Sequence, residues 1–241
     1  MARQVRSEVT RRRILDAAIR VFGEVGYAAA GWNTIIEQTG MTKGALYHHF
    51  DSKESLASAI IEEGSDTVLT ALRKVCGSSS PALENMIHGT FTLADVLGSN
   101  KMARAAEQLT AVLSGFNKAA AQFCEDLVDL MAAQARRASA EGDLRDDLGP
   151  VTLSESVLGA VLGTRLLTTT MSVTDPAGQL DHERLADLAG GPRQIWELLL
   201  AGVATDDSLP YFREFLAREA LRHAAPIAPR PHLAVAAPEA E

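Results

Sequence analysis

The residues best equipped for chemistry sit in one short run, Thr42-Lys43-Gly44-Ala45-Leu46-Tyr47-His48-His49. Thr42, Lys43, Tyr47 and His48 are hydrogen-bonding groups on a segment that reads as a short helix, and Ala45, Leu46 and His49 or Phe50 supply its inward face. A donor-rich helix face of this size suits the base edges and phosphates of duplex DNA. Lys43 reaches O6 and N7 of guanine. Thr42, Tyr47, His48 and Lys53 suit phosphates, and the start of the following helix adds backbone N–H donors. Gly44 lets the backbone approach DNA or a neighbouring helix. Arg3 and Arg6, on a flexible N-terminal arm, add phosphate or minor-groove contacts. On geometry alone, a generic helical hairpin is equally consistent with this stretch.

Other chemistries find little support. There is no Gly-x-Ser-x-Gly, no phosphate-binding Walker loop and no dinucleotide fingerprint. His48-His49 are adjacent rather than one helical turn apart, and His88, His182, His223 and His232 are scattered. No metal, cofactor or enzymatic activity is expected. Cys76 and Cys124 lie far apart in helical, apolar contexts and read as buried free thiols rather than a disulfide.

Charge points the same way as the donor run. The 241-residue chain carries a formal net charge of −8, but residues 1–55 hold eight Lys/Arg against six Asp/Glu, leaving −10 for the remainder. A basic end on an acidic body fits a protein that presents one end to a polyanion, although a solvated basic helix start would look alike. No apolar run reaches the roughly 18 residues that span a membrane. The polar, basic start shows no signal segment, so a cytoplasmic protein is expected.

The elements that must position the donor run are helical. From Ser7, the residues Ile14, Leu15, Ala18, Val21, Phe22 and Val25 recur on one helical face, and Gly26 ends it. A second helix, Trp32 to Thr39, buries Ile35 and Ile36 and ends at Gly40. Gly31 is a tolerable N-cap, weaker than Ser or Thr. Trp32 either lies against the DNA backbone or packs on the first helix. Thr42 caps the third helix and Ser52 the fourth, which runs to about Val75. Cys76-Gly77-Ser78-Ser79-Ser80-Pro81 is a break. Further helices are expected at about 81–97, 101–113, 117–140, 151–172, 182–203 and 208–223. Asp175-Pro176-Ala177-Gly178 marks a turn. Gly190-Gly191-Pro192 interrupts the 182–203 span, moving that helix start toward Gln194. Residues 224–241 read as a disordered tail.

From Arg11 to Leu56 the chain resembles the TetR family of one-component bacterial regulators. The match rests on Ile14-Leu15-Asp16-Ala17-Ala18, Phe22, Gly26-Tyr27, Ile35, Gly40 to Phe50 and Lys53-Glu54-Ser55-Leu56. The resemblance implies an all-α, TetR-like fold. A three-helix helix-turn-helix domain (residues 1–52) would be followed by a helical ligand-binding and dimerisation domain (53–223). It also places Lys43, Tyr47, His48 and Lys53 at positions used on DNA, and it implies a homodimer.

A closer resemblance is to the γ-butyrolactone receptors and pseudo-receptors of streptomycetes. It is carried by Met1 to Glu8, Thr42 to Phe50, Lys53 to Ala57 and Val161-Leu162-Gly163-Thr164-Arg165. It implies a repressor of secondary-metabolite genes that leaves a palindromic operator when a small signal binds. Thr164 keeps the family's residue near the ligand. The family's pocket tryptophan is replaced here, with Leu127 closest in register, and Gly64 stands where a polar side chain would serve. The expected inducer is therefore a related butenolide or furan, or an antibiotic. Met86, Phe91, Phe123, Leu127, Met131 and Thr164 are the candidate lining, although each suits ordinary core packing as well. Dimer contacts are expected on the Val157–Gly163 stretch and on the helices holding Ile195–Leu200 and Tyr211–Leu216. A TetR-type repressor of a drug exporter, sensing a hydrophobic drug, is the alternative.

Overall fold

A computed structural model describes residues 2–172 and 182–223. The Asp175–Gly178 turn and the 224–241 tail lie outside the described residues, as do the side chains of Arg3 and Arg6. Ten helices make up the described chain: α1 (Ala2–Ala29), α2 (Trp32–Thr39), α3 (Lys43–His49), α4 (Lys53–Cys76), α5 (Ala82–Ser99), α6 (Lys101–Val112), α7 (Lys118–Glu141), α8 (Pro150–Ser172), α9 (His182–Val203) and α10 (Leu209–His223). An isolated antiparallel bridge, Leu144 to Ala204, joins the ends of α7 and α9.

α1 starts at Ala2, five residues before the expected Ser7, so the segment carrying Arg3 and Arg6 is a helical turn rather than a loose arm. Ala, Arg and Gln are strong helix formers and nothing there resists the helix. Helical geometry breaks at Gly26, with φ 78°, ψ 156°, a conformation natural only to glycine. Ile14, Leu15, Ala18, Val21 and Phe22 are buried as expected, whereas Val25 is exposed. Val25, the residue directly before the break, lies on the outer side of α1. Ile35 is buried and Ile36 only partly so.

α4 is the central element, packing on α5, α6 and α7. It crosses α6 so closely that a β-carbon on Gly64 would stand 2.4 Å from Ala106 Cβ and 2.6 Å from the Met102 carbonyl oxygen. Glycine at 64 is therefore a packing requirement, not a vacancy left by a polar group. α8 lies on α7 and α9, and α9 on α5 and α10.

α9 runs unbroken through Gly190-Gly191-Pro192, contrary to the interruption expected there. Gly191 and Pro192 are both buried. A β-carbon on Gly191 would stand 3.5 Å from Thr164 Cγ2 of α8, in ordinary van der Waals contact, so α8 packs beside this part of α9 without requiring glycine there. Cys76 is buried, but Cys124 is exposed on α7, which corrects the expectation of two buried thiols. Burial pushes the Cys76 thiol up to about 11.

Candidate nucleic-acid interface

α2 and α3 meet at a tight turn built from local bonds. Gly40 adopts the left-handed conformation (φ 63°) and donates its N–H to the Glu37 carbonyl. The buried Thr39 hydroxyl donates to the Ile36 carbonyl at 2.7 Å and accepts from the Met41 N–H at 3.1 Å. Thr42 then caps α3, accepting from the Ala45 N–H at 3.3 Å. An N-cap of this kind stabilises a helix by about 1 kcal/mol, which matters for one of seven residues. Leu46 and Phe50 anchor α3 in the core, and Phe50 receives the Arg11 guanidinium 5.6 Å from its ring centre.

The opposite face is open. Thr42, Lys43, Gly44, Tyr47 and His48 are all exposed. Space around Gly44 is clear, so its bare backbone faces outward rather than a neighbouring helix. Lys43 Nζ stands 5.8 Å from the Tyr47 ring centre. Trp32 packs on Tyr47 (ring centres 5.7 Å apart, tilted 56°) and not on α1 alone. Its indole N–H is buried without a hydrogen-bond acceptor. The aromatic pair stiffens the reading face from α2. His49, half-buried behind His48, is held below its ordinary pKa by burial first, then by the charges of His48 and Arg11. It belongs to the inner face.

Lys53 is in the head but turned inward. Its ammonium donates to the Tyr27, Ala28 and Ala30 carbonyls at 2.8, 3.3 and 3.1 Å and sits 4.5 Å from the Tyr27 ring centre. It closes the carbonyl end of α1. The start of α4 carries a reciprocal cap. Ser52 Oγ accepts from the Ser55 N–H at 3.0 Å and Ser55 Oγ from the Ser52 N–H at 3.2 Å. Hydrogen bonds from Ser55 and Ser52 keep the neighbouring Asp51 carboxyl below its usual range.

Ion pairs fasten this head to the body. Arg11 and Arg12 of α1 both pair with Glu63 of α4, the latter at 3.2 Å. Lys101 at the start of α6 stands 2.7 Å from Asp16 of α1. One helix of the head is thereby tied to both partners of the close α4–α6 crossing.

The expected ligand residues are interior. Met86, Phe91, Phe123, Leu127 and Met131 are buried on α5 and α7, and Thr164 faces α9. Sequence reading missed Trp196. Expected at a dimer surface, it is fully buried and donates from Nε1 to Thr90 Oγ1 at 2.9 Å, beside Phe91. Ile195, Leu200, Phe212 and Leu216 are likewise in the subunit core. The family's Thr-Arg pair is anchored by Arg165, which holds Glu107 of α6 through two bonds of 3.0 and 3.1 Å. A separate cleft of about 740 Å³ opens between α4, α5 and α10, lined in part by Lys74, Asn85, His88, Arg218 and Glu219. None of the six expected residues lines it.

An all-helical chain with a capped, outward-facing reading helix on a helix-turn-helix defines a class of DNA-binding regulators. Residues 14–60 match the family described as bacterial regulatory proteins, tetR family. The A-factor receptor protein of Streptomyces griseus is 30% identical over 204 residues, 85% of this chain and 67% of that one. Among solved structures, a γ-butyrolactone receptor described as ArpA-like superposes with TM-score 0.70 at 23% identity, covering 90% of this chain and 99% of that one. CprB of Streptomyces coelicolor, solved with its biological operator sequence, gives 0.68 at 24%, covering 90% and 99%. The chain belongs to the TetR family and, within it, to the γ-butyrolactone receptor group. The HTH-type transcriptional regulator UidR of Escherichia coli is 39% identical over 71 residues, 30% of this chain and 36% of that one, and among the described residues no helix is long and apolar enough to cross a membrane.

Proposed function

We propose that the protein is a ligand-responsive repressor that binds a palindromic operator as a homodimer and is released by a small signalling molecule. The observation that carries this reading is the exposed face of α3, where Lys43, Tyr47, His48 and Thr42 stand clear on a helix locked from behind. Lys43 takes the base edge; Thr42, Tyr47 and His48 take phosphates. Arg3 and Arg6 lie at the start of α1 for groove or phosphate contacts. Trp32 acts by bracing Tyr47.

Two copies are needed to set two reading helices about 34–36 Å apart, one turn of the duplex. Leu166 and Leu167 of α8 and Leu198 of α9 are exposed, the last at 82%. Gly159, Gly163 and Gly202 have open space where a β-carbon would be. A large apolar face with small residues suits close approach of a second copy by a two-fold axis. Val157, Leu158 and Val161, on the other side of α8, belong to the subunit core.

The inducer is a butyrolactone-like molecule, butenolide, furan or antibiotic, taken among Met86, Phe91, Phe123, Leu127, Met131 and Thr164. Trp196 supplies the rigid aromatic surface that Leu127 lacks. A ligand acts only by favouring one dimer geometry over another. α4 is the lever, because it joins the head through Glu63 and the body through Gly64. Coupling of about 1–3 kcal/mol is ordinary for such a device.

A mobility-shift titration on DNA upstream of the protein's own gene tests the reading. Lys43→Ala with Tyr47→Ala should abolish the specific shift while the fold, followed by circular dichroism, is retained. Undiminished affinity in that double variant would overturn it.

A further inference from the structure

The cleft between α4, α5 and α10 holds ionisable groups that operator reading does not use. His88 of α5 and His223 of α10 turn ring nitrogens toward one carboxylate. His223 Nε2 lies 3.0 Å from Glu219 Oε1, and His88 Nδ1 is bonded to the same oxygen. Glu219 is 0% exposed. One ligand atom from each of the three residues lies within 4.8 Å of the others. The remaining nitrogen of His223, Nδ1, is 2.6 Å from Asp95 Oδ2. The Phe91 ring lies 5.0 Å from the His223 ring, tilted by only 30°.

These features converge on one kind of ligand. Two imidazoles and a carboxylate are donors for a first-row divalent ion, and three protein ligands leave a further position open. Two of the three, His88 and Glu219, line the cleft. A carboxylate bonded to the far nitrogen of a ligating histidine is the usual outer support of such a site. It fixes the ring and decides which nitrogen is left to bind. Asp95 does this for His223. His223 Nε2 and Glu219 share a face one turn apart on α10, while His88 comes from a different helix, so binding would close a loop between α5 and the C-terminal helix.

We propose that His88, Glu219 and His223 form a binding site for a divalent transition-metal ion, zinc being the natural probe, which staples α10 to α5. Zinc–nitrogen bonds of about 2.0–2.1 Å at a tetrahedral centre set ligand atoms roughly 3.3 Å apart. The three atoms already lie within 4.8 Å of one another, so small side-chain rotations admit the ion. The ion replaces the protons that the imidazoles now share with the carboxylate. Arg222 Nη1, 3.0 Å from Glu219 Oε2, opposes a cation, but its side chain is two-thirds exposed (67%) and swings into solvent. The site is separate from α3 and does not depend on the proposed repressor function.

The test uses the full-length protein, stripped with a chelator and titrated with Zn²⁺ by calorimetry and with Co²⁺ by visible absorbance. Expected are one ion per chain, nitrogen-rich cobalt bands and a higher melting temperature with zinc. His88→Gln and His223→Gln should each weaken zinc binding at least about tenfold, and Asp95→Asn roughly tenfold, as loss of an outer-shell partner does elsewhere. Absence of saturable binding overturns the proposal. So does binding that persists in the histidine variants, which would mark an adventitious ion at other side chains. Should those variants not fold, Asp95→Asn decides alone, because its side chain is half-exposed (53%); unchanged zinc affinity there refutes the site.

Discussion

Substituting Gly64 offers a sharp test of how the head and body are joined. In an ordinary helix interior, Gly→Ala stabilises by about 0.8–1 kcal/mol through backbone propensity. At Gly64 the added carbon would meet Ala106 Cβ at 2.4 Å and the Met102 oxygen at 2.6 Å. Neither atom can rotate away, since both are fixed to the α6 backbone. Reaching ordinary contact requires α4 and α6 to separate by about 1 Å, and overpacking of this kind costs about 1–3 kcal/mol. The clash outweighs the propensity gain, so Gly64→Ala should be destabilised by about 1–2 kcal/mol. For a chain of this size that is a fall of roughly 2–8 °C in melting temperature. Gly64→Val adds two more carbons at the same place and forgoes most of the propensity gain, so it should fall further. Gly98→Ala on α5, where the added carbon meets nothing within 4 Å, is the control and should be neutral or stabilised. Thermal and urea unfolding at one fixed protein concentration read all three. A Gly64→Ala protein as stable as Gly98→Ala would show that the helices do not cross as closely as described. Because α4 and α6 each hold α1, the same opening should also weaken operator binding.

Other outcomes follow from the described contacts. Lys43→Ala alone should weaken specific operator binding by about 1–3 kcal/mol, roughly 5- to 150-fold, and relax the base preference at one position of each half-site, as read by competition shifts. Glu63→Gln removes the carboxylate that Arg11 and Arg12 share, leaving Arg12 its Asp16 contact; because these pairs are partly exposed, the stability loss should stay within about 1 kcal/mol in denaturant titrations. Glu141 accepts the Ala82 N–H at 2.6 Å and pairs with Arg137 at 2.7 Å. Burial raises its carboxyl, but the Ala82 bond and Arg137 outweigh this and set it below the unfolded 4.5. Its stabilising contribution is thus present above pH 4.5 and lost as the pH falls through the lower folded value, where melting curves of wild type and Glu141→Gln should converge. A thiol reagent applied to the native protein should label Cys124 first, and Cys76 only on unfolding, as read by mass spectrometry of digests.

The reading helix was legible because its determinants are local. Gly40, Thr42 and Ser52 are turn and cap residues within a few positions of the groups they satisfy, so their types announce α3 and the start of α4. Long-range partners were not legible in that way. Lys53 looks like a phosphate ligand until the fold brings the end of α1 beneath it. Trp196 reads as surface on α9 until Thr90 on α5 receives its indole N–H. His88 and His223 look scattered because their common partner is set by the packing of α10 on α5. Gly190-Gly191-Pro192 signals a break, yet α9 continues through it with Gly191 and Pro192 buried, so tertiary burial outweighs local propensity. Val25 and Cys124 carry apolar neighbours in sequence and still face outward, because periodicity does not reveal where a neighbouring helix ends.

The pairing of Arg11 and Arg12 with Glu63 bears on how the protein should respond to ionic strength. Each cation that reaches a phosphate displaces condensed counterions from DNA, and the steepness of affinity against salt counts those cations. Two of the five arginines in the first thirteen residues already share a carboxylate of their own chain, which offsets one of their two charges. The basic appearance of the N-terminus thus overstates its grip on the duplex. The salt exponent should be shallower than composition suggests, leaving discrimination among sequences to the α3 side chains.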